Sequence, residues 1–133
     1  MEIIRSWLIA PANRPEFLRK FATLGADCSV MDLEDGTPEQ HKRATREGLA
    51  ASVAQLRSLG LRQGLYVRVN HPRSEHFRAD LEAAAIAEVD GVSIPKLGSV
   101  AELRAAVEVL AGTEARLRRR RSEEHTSELQ SQR

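Results

Sequence analysis

The stretch Cys28-Ser29-Val30-Met31-Asp32-Leu33-Glu34-Asp35-Gly36 decides the fold of this chain. Its apolar residues stand on consecutive positions instead of alternating with polar ones, which is typical of a parallel strand covered on both faces. Four such apolar runs occur, and each is followed by a longer segment with helical character: Ser6 to Ala10, Cys28 to Leu33, Leu65 to Val69 and Gly91 to Ile94. This βα order, repeated four times, predicts an α/β fold with a parallel sheet.

Local signals mark the ends of three of the helices. Pro15 suits a first helical turn, and Gly25 suits the end of the same helix. Thr37 and Gln40 form a capping-box pattern before a helix that is expected to reach Gly60. Ser99 and Glu102 form a second capping box, which opens the last helix. The helix before it is predicted from apolar spacing alone, at Phe77, Leu81 and Ile86.

Length and composition limit the classes of function. The chain has 133 residues, whereas a complete (β/α)₈ barrel has roughly 250. The 20 Lys and Arg residues balance 19 Asp and Glu, so there is no basic field to attract nucleic acid or a membrane surface, and a small molecule is the expected partner. One cysteine, no export signal and no long apolar run predict a cytoplasmic protein.

The candidate site lies where the predicted strands end, because ligands of parallel α/β folds bind beyond the carboxyl ends of the strands. Polar residues finish all four runs: Asn13, the segment Asp32 to Gly36, Arg68 and Lys96. Alternation places Asp32 and Glu34 on one face, where Arg68 and Lys96 are the expected cationic partners. A structural ion-pair network and a substrate site explain this pattern equally well. Arg68 favours the substrate site, because its planar fork suits a carboxylate or a thioester oxygen.

Other candidate residues carry weaker signals. Lys42 lies one turn into the helix after the acidic segment, where it either reaches the rim or stays solvated. Asn13 either contacts the substrate or caps the following helix. Three histidines, His41, His71 and His76, show no metal-site spacing and are expected at the surface.

The last segment differs in character from the rest of the chain. Five arginines between Arg116 and Arg121 are interrupted only by Leu117, and no apolar periodicity follows. From residue 121 onward the sequence resembles the in-frame translation of a common sequencing-library adaptor. We therefore expect a native part over residues 1–112 and a foreign basic and polar tail over residues 113–133. The alternative is a nucleic-acid-binding arm.

Five motifs occur in a defined order: Arg5 to Pro15 (RSWLIAPANRP), Gly25 to Asp27 (GAD), Asp32 to Gly36 (DLEDG) with Lys42, Val67 to Asn70 (VRVN) and Asp90 to Lys96 (DGVSIPK). In this order and spacing they resemble the HpcH/HpaI aldolase and citrate lyase β-subunit family over residues 5 to about 110. Within that family they look most similar to the CoA-ester lyases.

The resemblance implies the N-terminal half of a (β/α)₈ barrel, with Mg²⁺ as cofactor. It also implies reversible aldol or Claisen-type cleavage of a citryl-, malyl- or citramalyl-type CoA ester. Arg68 matches the substrate-binding arginine, and Glu34 and Asp35 match the acidic motif that organises the metal's waters. The further expected substrate contacts are Lys42, Asn13 and Lys96. A homo-oligomer or a subunit of a lyase complex is the implied assembly.

The resemblance is incomplete in one important respect. The family's two metal-ligating carboxylates, a Glu and an Asp, lie on the fifth and sixth strands, which this chain lacks. We therefore expect an inactive, marginally folded and aggregation-prone half-barrel with two unpaired strand edges. The alternatives are a thioesterase, an aldolase acting on a free 2-keto or hydroxy acid, and a non-catalytic half-barrel that binds a carboxylate.

Overall fold

The structure is a computed structural model that describes residues 3–131, with side chains described from residue 3 to residue 124. Strands and helices alternate along this part of the chain, as the repeated βα pattern predicts. The elements are β1 (Trp7–Pro11), α1 (Pro15–Leu18), α2 (Phe21–Leu24), β2 (Cys28–Asp32), α3 (Glu39–Glu47), α4 (Leu49–Ser58), β3 (Gly64–Arg68), α5 (Phe77–Ala87), β4 (Gly91–Ser93) and α6 (Val100–Ser131).

The strands form one parallel sheet in the order β1-β2-β3-β4. At its carboxyl end Pro11 is paired with Asp32, Asp32 with Arg68, and Arg68 with Ser93. Within the described residues β1 and β4 are the edges of the sheet, because each pairs with a single neighbour. The predicted α/β fold with consecutive parallel strands is confirmed.

The helices cover one face of the sheet and form the core with it. Met31, Leu65 and Val67 on this face are inaccessible to solvent. They pack with apolar side chains of α1, α2, α4 and α5. Burial of this kind is the main source of stability, at about 25 cal/mol for each Å² of apolar surface removed from water.

The opposite face of the sheet is open at the β1 edge. Trp7 and Ile9 alternate onto this face and each keeps 53% of its surface exposed, which is unusual for large apolar residues of a strand. The Trp7 ring lies 5.5 Å from the ring of Tyr66. Gly91 makes room for this tyrosine, because a Cβ at Gly91 would lie 2.7 Å from the Tyr66 ring. An open, apolar inner face is what half of a barrel presents.

Two helices differ from the sequence prediction. The helix expected from Pro15 to Gly25 is divided into α1 and α2, although Gly25 ends α2 with a left-handed φ of 69°, as expected. The helix expected to reach Gly60 is interrupted at Gly48, between α3 and α4. The capping box predicted at Thr37 is wrong, because α3 has no side-chain cap and the Thr37 hydroxyl donates to the last carbonyl of β2 at 2.7 Å.

Helix α6 begins as predicted, since the Ser99 hydroxyl accepts the amide of Glu102 at 3.2 Å. It continues through the basic run, where Leu117 is buried and Arg116 pairs with Glu82 of α5 at 3.2 Å. Sequences rich in Arg and Glu form helices readily whatever their origin, so the boundary at residue 113 stays a prediction. Residues 132 and 133 of the tail lie outside the described part. None of the described helices, long α6 included, is apolar enough to cross a membrane.

Candidate active site at the carboxyl end of the sheet

Four charged side chains meet at the carboxyl end of the sheet, and we call them the rim cluster: Asp32, Glu34, Arg68 and Lys96. Asp32 and Arg68 are the last residues of β2 and β3 and are paired in register. Arg68 Nε lies 3.7 Å from Glu34 Oε1, and Lys96 Nζ lies 3.7 Å from Glu34 Oε2. The predicted pairing of these carboxylates with Arg68 and Lys96 is confirmed.

Asp32 and Arg68 make the closest contact of the rim cluster. Arg68 Nε donates to Asp32 Oδ1 at 2.9 Å, and Nη2 donates to Oδ2 at 2.6 Å. The backbone amides of Glu34 and Gly36 donate to the same carboxylate, each at 2.9 Å. Burial raises the pKa of the Asp32 carboxyl, but Arg68 and the two amides outweigh burial and hold this pKa below its ordinary value. The hydrogen bonds to Asp32 also raise the pKa of Arg68. Both oxygens of Asp32 are therefore occupied within the chain.

Glu34 has a buried carboxylate oxygen that accepts no hydrogen bond from the described residues. Only 7% of the residue is exposed, and Oε1 accepts no hydrogen bond from the described part of the chain. The cations of Arg68 and Lys96 balance its charge from 3.7 Å, which is beyond hydrogen-bond distance. Because a buried carboxylate oxygen without a donor is costly, Oε1 is the acceptor in this cluster that suits a ligand.

Asp35 and Lys96 form the exposed side of the site. Lys96 Nζ donates to Asp35 Oδ2 at 3.2 Å, and this hydrogen bond raises the pKa of Lys96. Their side chains are 69% and 67% exposed, so water screens the pair. Lys96 has a φ of 54°, which is uncommon for residues other than glycine. Backbone conformations of this kind cluster at functional sites.

Lys42 and Asn13, the other predicted substrate contacts, have buried polar atoms. Lys42 Nζ donates to the carbonyls of Leu33 and Glu34 at 2.7 and 2.5 Å. Asn13 Oδ1 is buried and accepts no hydrogen bond from the described residues. The alternative that Asn13 caps the following helix is wrong, because α1 has no side-chain cap. Substrate binding by either residue stays a prediction.

A polar pair behind the site was missed from the sequence. The amide and Nδ2 of Asn70 both donate to Asp80 Oδ2, at 2.9 and 2.6 Å, and Nδ2 also donates to the Leu33 carbonyl at 3.1 Å. Arg46 of α3 donates to the other oxygen of Asp80 at 3.2 Å. A signal was present, because Asp80 stands three residues after Phe77 on the apolar stripe of the predicted helix, where a carboxylate needs a partner.

One group of described residues has the spacing of a metal site, and it lies outside the rim cluster: Glu39, Glu75 and His76. Its members already have partners, since His76 Nε2 lies 2.6 Å from Glu39 Oε1 and Arg46 Nη1 lies 3.1 Å from His76 Nδ1. The expectation that the histidines lie at the surface is confirmed for His41, whereas His76 is only partly exposed, with 14% of its side chain accessible. Within the described residues the rim carboxylates do not form such a group.

Comparison with known proteins identifies similar sequences. The profile of the HpcH/HpaI aldolase/citrate lyase family matches residues 5–130. A citrate lyase subunit beta-like protein of Deinococcus radiodurans is 34% identical over 110 residues, and a (3S)-malyl-CoA thioesterase of Cereibacter sphaeroides is 38% identical over 101 residues. These matches cover 81% and 76% of this chain but 38% and 35% of the relatives. The chain therefore spans a little over a third of their length.

Two solved structures share the arrangement of strands and helices. Haloferax volcanii malate synthase, in a magnesium and glyoxylate complex, matches 87% of this chain and 39% of its own with a TM-score of 0.73, and its 20% identity limits the likeness to the fold. CitE of Mycobacterium tuberculosis, in complex with magnesium and pyruvate, matches 74% of this chain and 38% of its own with a TM-score of 0.57 and 33% identity. Both are TIM-barrel-type proteins, so the sheet is the N-terminal half of a (β/α)₈ barrel, as predicted.

Proposed function

The chain belongs to the HpcH/HpaI aldolase/citrate lyase family, and from this premise we propose that the complete protein is a carbon-carbon lyase. Its reaction is the reversible aldol or Claisen-type cleavage of a hydroxyacyl-CoA of citryl, malyl or citramalyl type. The relatives named as a citrate lyase subunit beta-like protein and a malyl-CoA thioesterase support a CoA ester as substrate. The four βα units of this chain alone are proposed to be inactive.

The proposal rests on the outer edge of the Arg68 guanidinium group, which lies beside the buried carboxylate of Glu34. Arg68 uses Nε and Nη2 to bind Asp32, and Nη1 donates to no described residue. The edge formed by Nη1 and Nη2 is therefore suited to a carboxylate or carbonyl oxygen. Glu34 Oε1, 3.7 Å from Arg68 Nε, is an acceptor without a donor. A hydroxy acid suits this arrangement, because it presents a carboxylate and a hydroxyl donor a few bonds apart.

The residues of the chain have separate roles in the proposed reaction. Cleavage moves the electron pair of the carbon-carbon bond to the carbon next to the thioester carbonyl, while the hydroxyl loses its proton and becomes a carbonyl. That carbon then takes up one proton, so the protons balance and the products are an acyl-CoA and an oxo acid. Arg68 holds the carboxylate and the new carbonyl of the oxo fragment and stabilises negative charge on their oxygens. Glu34 and Asp35 orient the groups around the reacting carbons. Lys96 and Asn13 contribute contacts to the substrate.

Mg²⁺ is part of the proposal, although the described residues do not form its ligand set. Each carboxylate near the rim already faces a cation, whereas Mg²⁺ requires several oxygen ligands and keeps some of its waters. We assign its protein ligands to the part of the complete protein that follows this chain. When bound, Mg²⁺ would supply positive charge to substrate oxygens on which negative charge develops. Glu34 Oε1 fits the role of acceptor for one of its waters.

Two related reactions are alternatives. Hydrolysis of the thioester is favoured by the relative named as a malyl-CoA thioesterase. Aldol cleavage of a free acid is favoured by the similarity to CitE, which was solved with pyruvate. In all three reactions Arg68 binds a carboxylate of the substrate in the same way. The reactions are therefore distinguished by their products.

The test is a product analysis with the complete protein, whose coding sequence is extended beyond residue 112. Malyl-CoA, citramalyl-CoA, citryl-CoA and the corresponding free acids are each supplied with and without Mg²⁺, and acetyl-CoA, free CoA and oxo acid are measured separately. We expect an acyl-CoA and an oxo acid in equal amounts, and only with Mg²⁺. Free CoA with no shorter acyl-CoA would identify a thioesterase, and cleavage of the free acid alone would identify an aldolase. Arg68→Lys should lose most turnover, whereas Arg43→Lys, on an exposed helix face, should not.

We also propose that the native part of this chain ends near residue 112 and that residues 113–133 are a foreign tail, although the family match extends to residue 130. Translation of an adaptor explains the polar segment from about residue 121 onward. Resequencing of independently prepared DNA tests this boundary.

A further inference from the structure

The acidic loop, which we define as Leu33 to Gly36, is held from two sides by charged side chains. On one side the Asp32 carboxylate accepts the amides of Glu34 and Gly36 at 2.9 Å each. On the other side Lys42 Nζ binds the carbonyls of Leu33 and Glu34 at 2.7 and 2.5 Å. Hydrogen bonds in which one partner is ionised are stronger than neutral ones. These charged hydrogen bonds add to two backbone ones, from the Leu33 amide to the Arg68 carbonyl at 2.9 Å and from the Thr37 amide to the Glu34 carbonyl at 3.2 Å.

Lys42 is unusual because its ammonium group is buried without an ion-pair partner among the described residues. The residue is 8% exposed, and its hydrogen bonds go to the two carbonyls of the acidic loop. A buried charge needs compensation from nearby dipoles or charges, and here the carbonyls supply it. The next residue of the same helix, Arg43, has an 82% exposed side chain. The buried position of Lys42 is therefore explained by its contact with the loop.

Asn70 supports the same carbonyl from the end of β3. Its Nδ2 donates to the Leu33 carbonyl at 3.1 Å and to Asp80 Oδ2 at 2.6 Å. Asp80 is 1% exposed and is itself bound by Arg46. The Leu33 carbonyl thus has two donors, Lys42 of α3 and Asn70 of the segment after β3, and both residues are buried.

We propose that Lys42 and Asn70 are positioning residues for the Glu34 carboxylate. Together they hold the carbonyls of Leu33 and Glu34, which flank the Glu34 backbone. The Glu34 side chain is thereby directed toward Arg68 and Lys96. This role replaces the substrate contact expected of Lys42, which acts through Glu34 and does not touch the substrate. The catalytic consequence rests on the proposed function, whereas the structural role does not.

Nitrogen-15 labelling of lysine tests the position of the ammonium group directly. The chain has three lysines, Lys20, Lys42 and Lys96, so three side-chain signals are expected. In the unmutated chain, with sucrose added to stabilise the fold, one ammonium signal should exchange with water at least about tenfold more slowly than the other two. It should show couplings to carbonyl carbons of Leu33 and Glu34, and it should be absent from Lys42→Met.

Hydrogen exchange of the loop amides tests the mechanical consequence. In Lys42→Met the amides of Glu34 and Gly36 should exchange about tenfold faster, because the loop opens more often. Asn70→Ala should give a smaller increase at the same amides. The control is Arg43→Met, which removes the same charge one residue away on the exposed face of α3 and should change these rates by less than about twofold.

Several outcomes would overturn the positioning role. In the first, the Lys42 ammonium exchanges with water as fast as those of Lys20 and Lys96. In the second, the loop amides exchange at equal rates in Lys42→Met and Arg43→Met. If Lys42→Met unfolds the chain, the lysine signal of the unmutated chain decides. Neither measurement uses substrate or Mg²⁺, so a complete protein without lyase activity would refute the proposed function and leave the positioning role intact. In an active complete protein, Lys42→Met should lower kcat while KM changes by less than about twofold.

Discussion

Asparagine in place of Asp32 removes one negative charge from the rim cluster with almost no change in shape. The native carboxylate accepts two hydrogen bonds from Arg68 and one each from the amides of Glu34 and Gly36. The side chain of asparagine keeps one acceptor oxygen and puts an NH₂ group where two donors point. Arg68 then loses its closest anionic partner and keeps Glu34 at 3.7 Å, while only 28% of its side chain is exposed.

The expected loss follows from the burial of the pair. Removing one partner of a buried ion pair costs about 3–5 kcal/mol, and partial exposure of Arg68 lets water recover some of this, so the free energy of unfolding should fall by about 2–4 kcal/mol. With a typical urea dependence, the unfolding midpoint should fall by roughly 1–3 M. The matched control is Asp35→Asn, which removes the same charge from a neighbouring exposed pair. Its midpoint should stay unchanged.

The effect of Asp32→Asn depends on pH in a defined direction. The folded chain holds the pKa of Asp32 below its ordinary value of about 3.9. The stabilising contribution is therefore fully present above that ordinary value and is lost as the pH falls through the lower, folded value. The difference between native and variant chains should be constant near neutral pH and shrink below about pH 4.

Urea unfolding followed by the fluorescence of Trp7, the single tryptophan of the sequence, measures both effects. Sucrose is added equally to all samples, so that a marginal chain starts from the folded state. Equal midpoints for Asp32→Asn and Asp35→Asn at pH 7 would refute the reasoning, and so would a difference that grows as the solution is acidified.

The remaining predictions concern a close backbone contact, the open face and the tail. Gly36→Ala should lower the urea midpoint, because a Cβ there would lie 2.6 Å from the carboxylate that accepts its amide, whereas Gly48→Ala, with no contact closer than 3.5 Å, should not lower it. The isolated chain should bind a hydrophobic dye and aggregate on warming, because Trp7 and Ile9 are exposed; a sharp, cooperative melt of a soluble monomer would contradict this. Resequencing from the codon for Val100 onward should extend the frame into further βα units with a strand-terminal Glu and then Asp, and a confirmed arginine-rich tail would remove the catalytic interpretation for this gene product.

The strands were predictable because a parallel strand carries apolar residues toward both faces of the sheet, which leaves a local mark in the sequence. Consecutive apolar positions such as those from Trp7 to Ala10 can be recognised without knowing which neighbours cover them. The helix errors have a different origin. Gly48 is compatible with a continuous helix or with an interruption, and only packing decides. The Thr37 hydroxyl could either accept an amide of the helix as a cap or donate to a nearby carbonyl. In the structure it donates to the Asp32 carbonyl, and α3 has no side-chain cap.

The site was predictable as a set of charges but not as a set of contacts. Strand ends in a parallel sheet converge, so Arg68 and the acidic segment had to be neighbours. Alternation predicted that Arg68 and Lys96 pair with Asp32 and Glu34, but not that Arg68 binds Asp32 with two of its nitrogens and leaves Glu34 beyond hydrogen-bond distance. The pair of Asn70 and Asp80 joins β3 to α5, and such a contact follows from how a helix packs on the sheet, which spacing alone does not fix.

The acidic segment contains three carboxylates, and their positions relative to the end of β2 give them different chemistry. Asp32 is still in the strand, so the register sets it opposite Arg68, and four donors occupy its two oxygens. Asp35 lies in the exposed loop, where water weakens its pairing with Lys96. Glu34 lies two residues beyond Asp32 on the same face, past the last strand pairing, so no backbone amide reaches its side chain. It alone among the three combines burial with an oxygen that accepts no hydrogen bond from the described residues. In the proposed reaction the working carboxylate is therefore the one just beyond the strand, and the carboxylate within the strand holds the arginine and the loop in place.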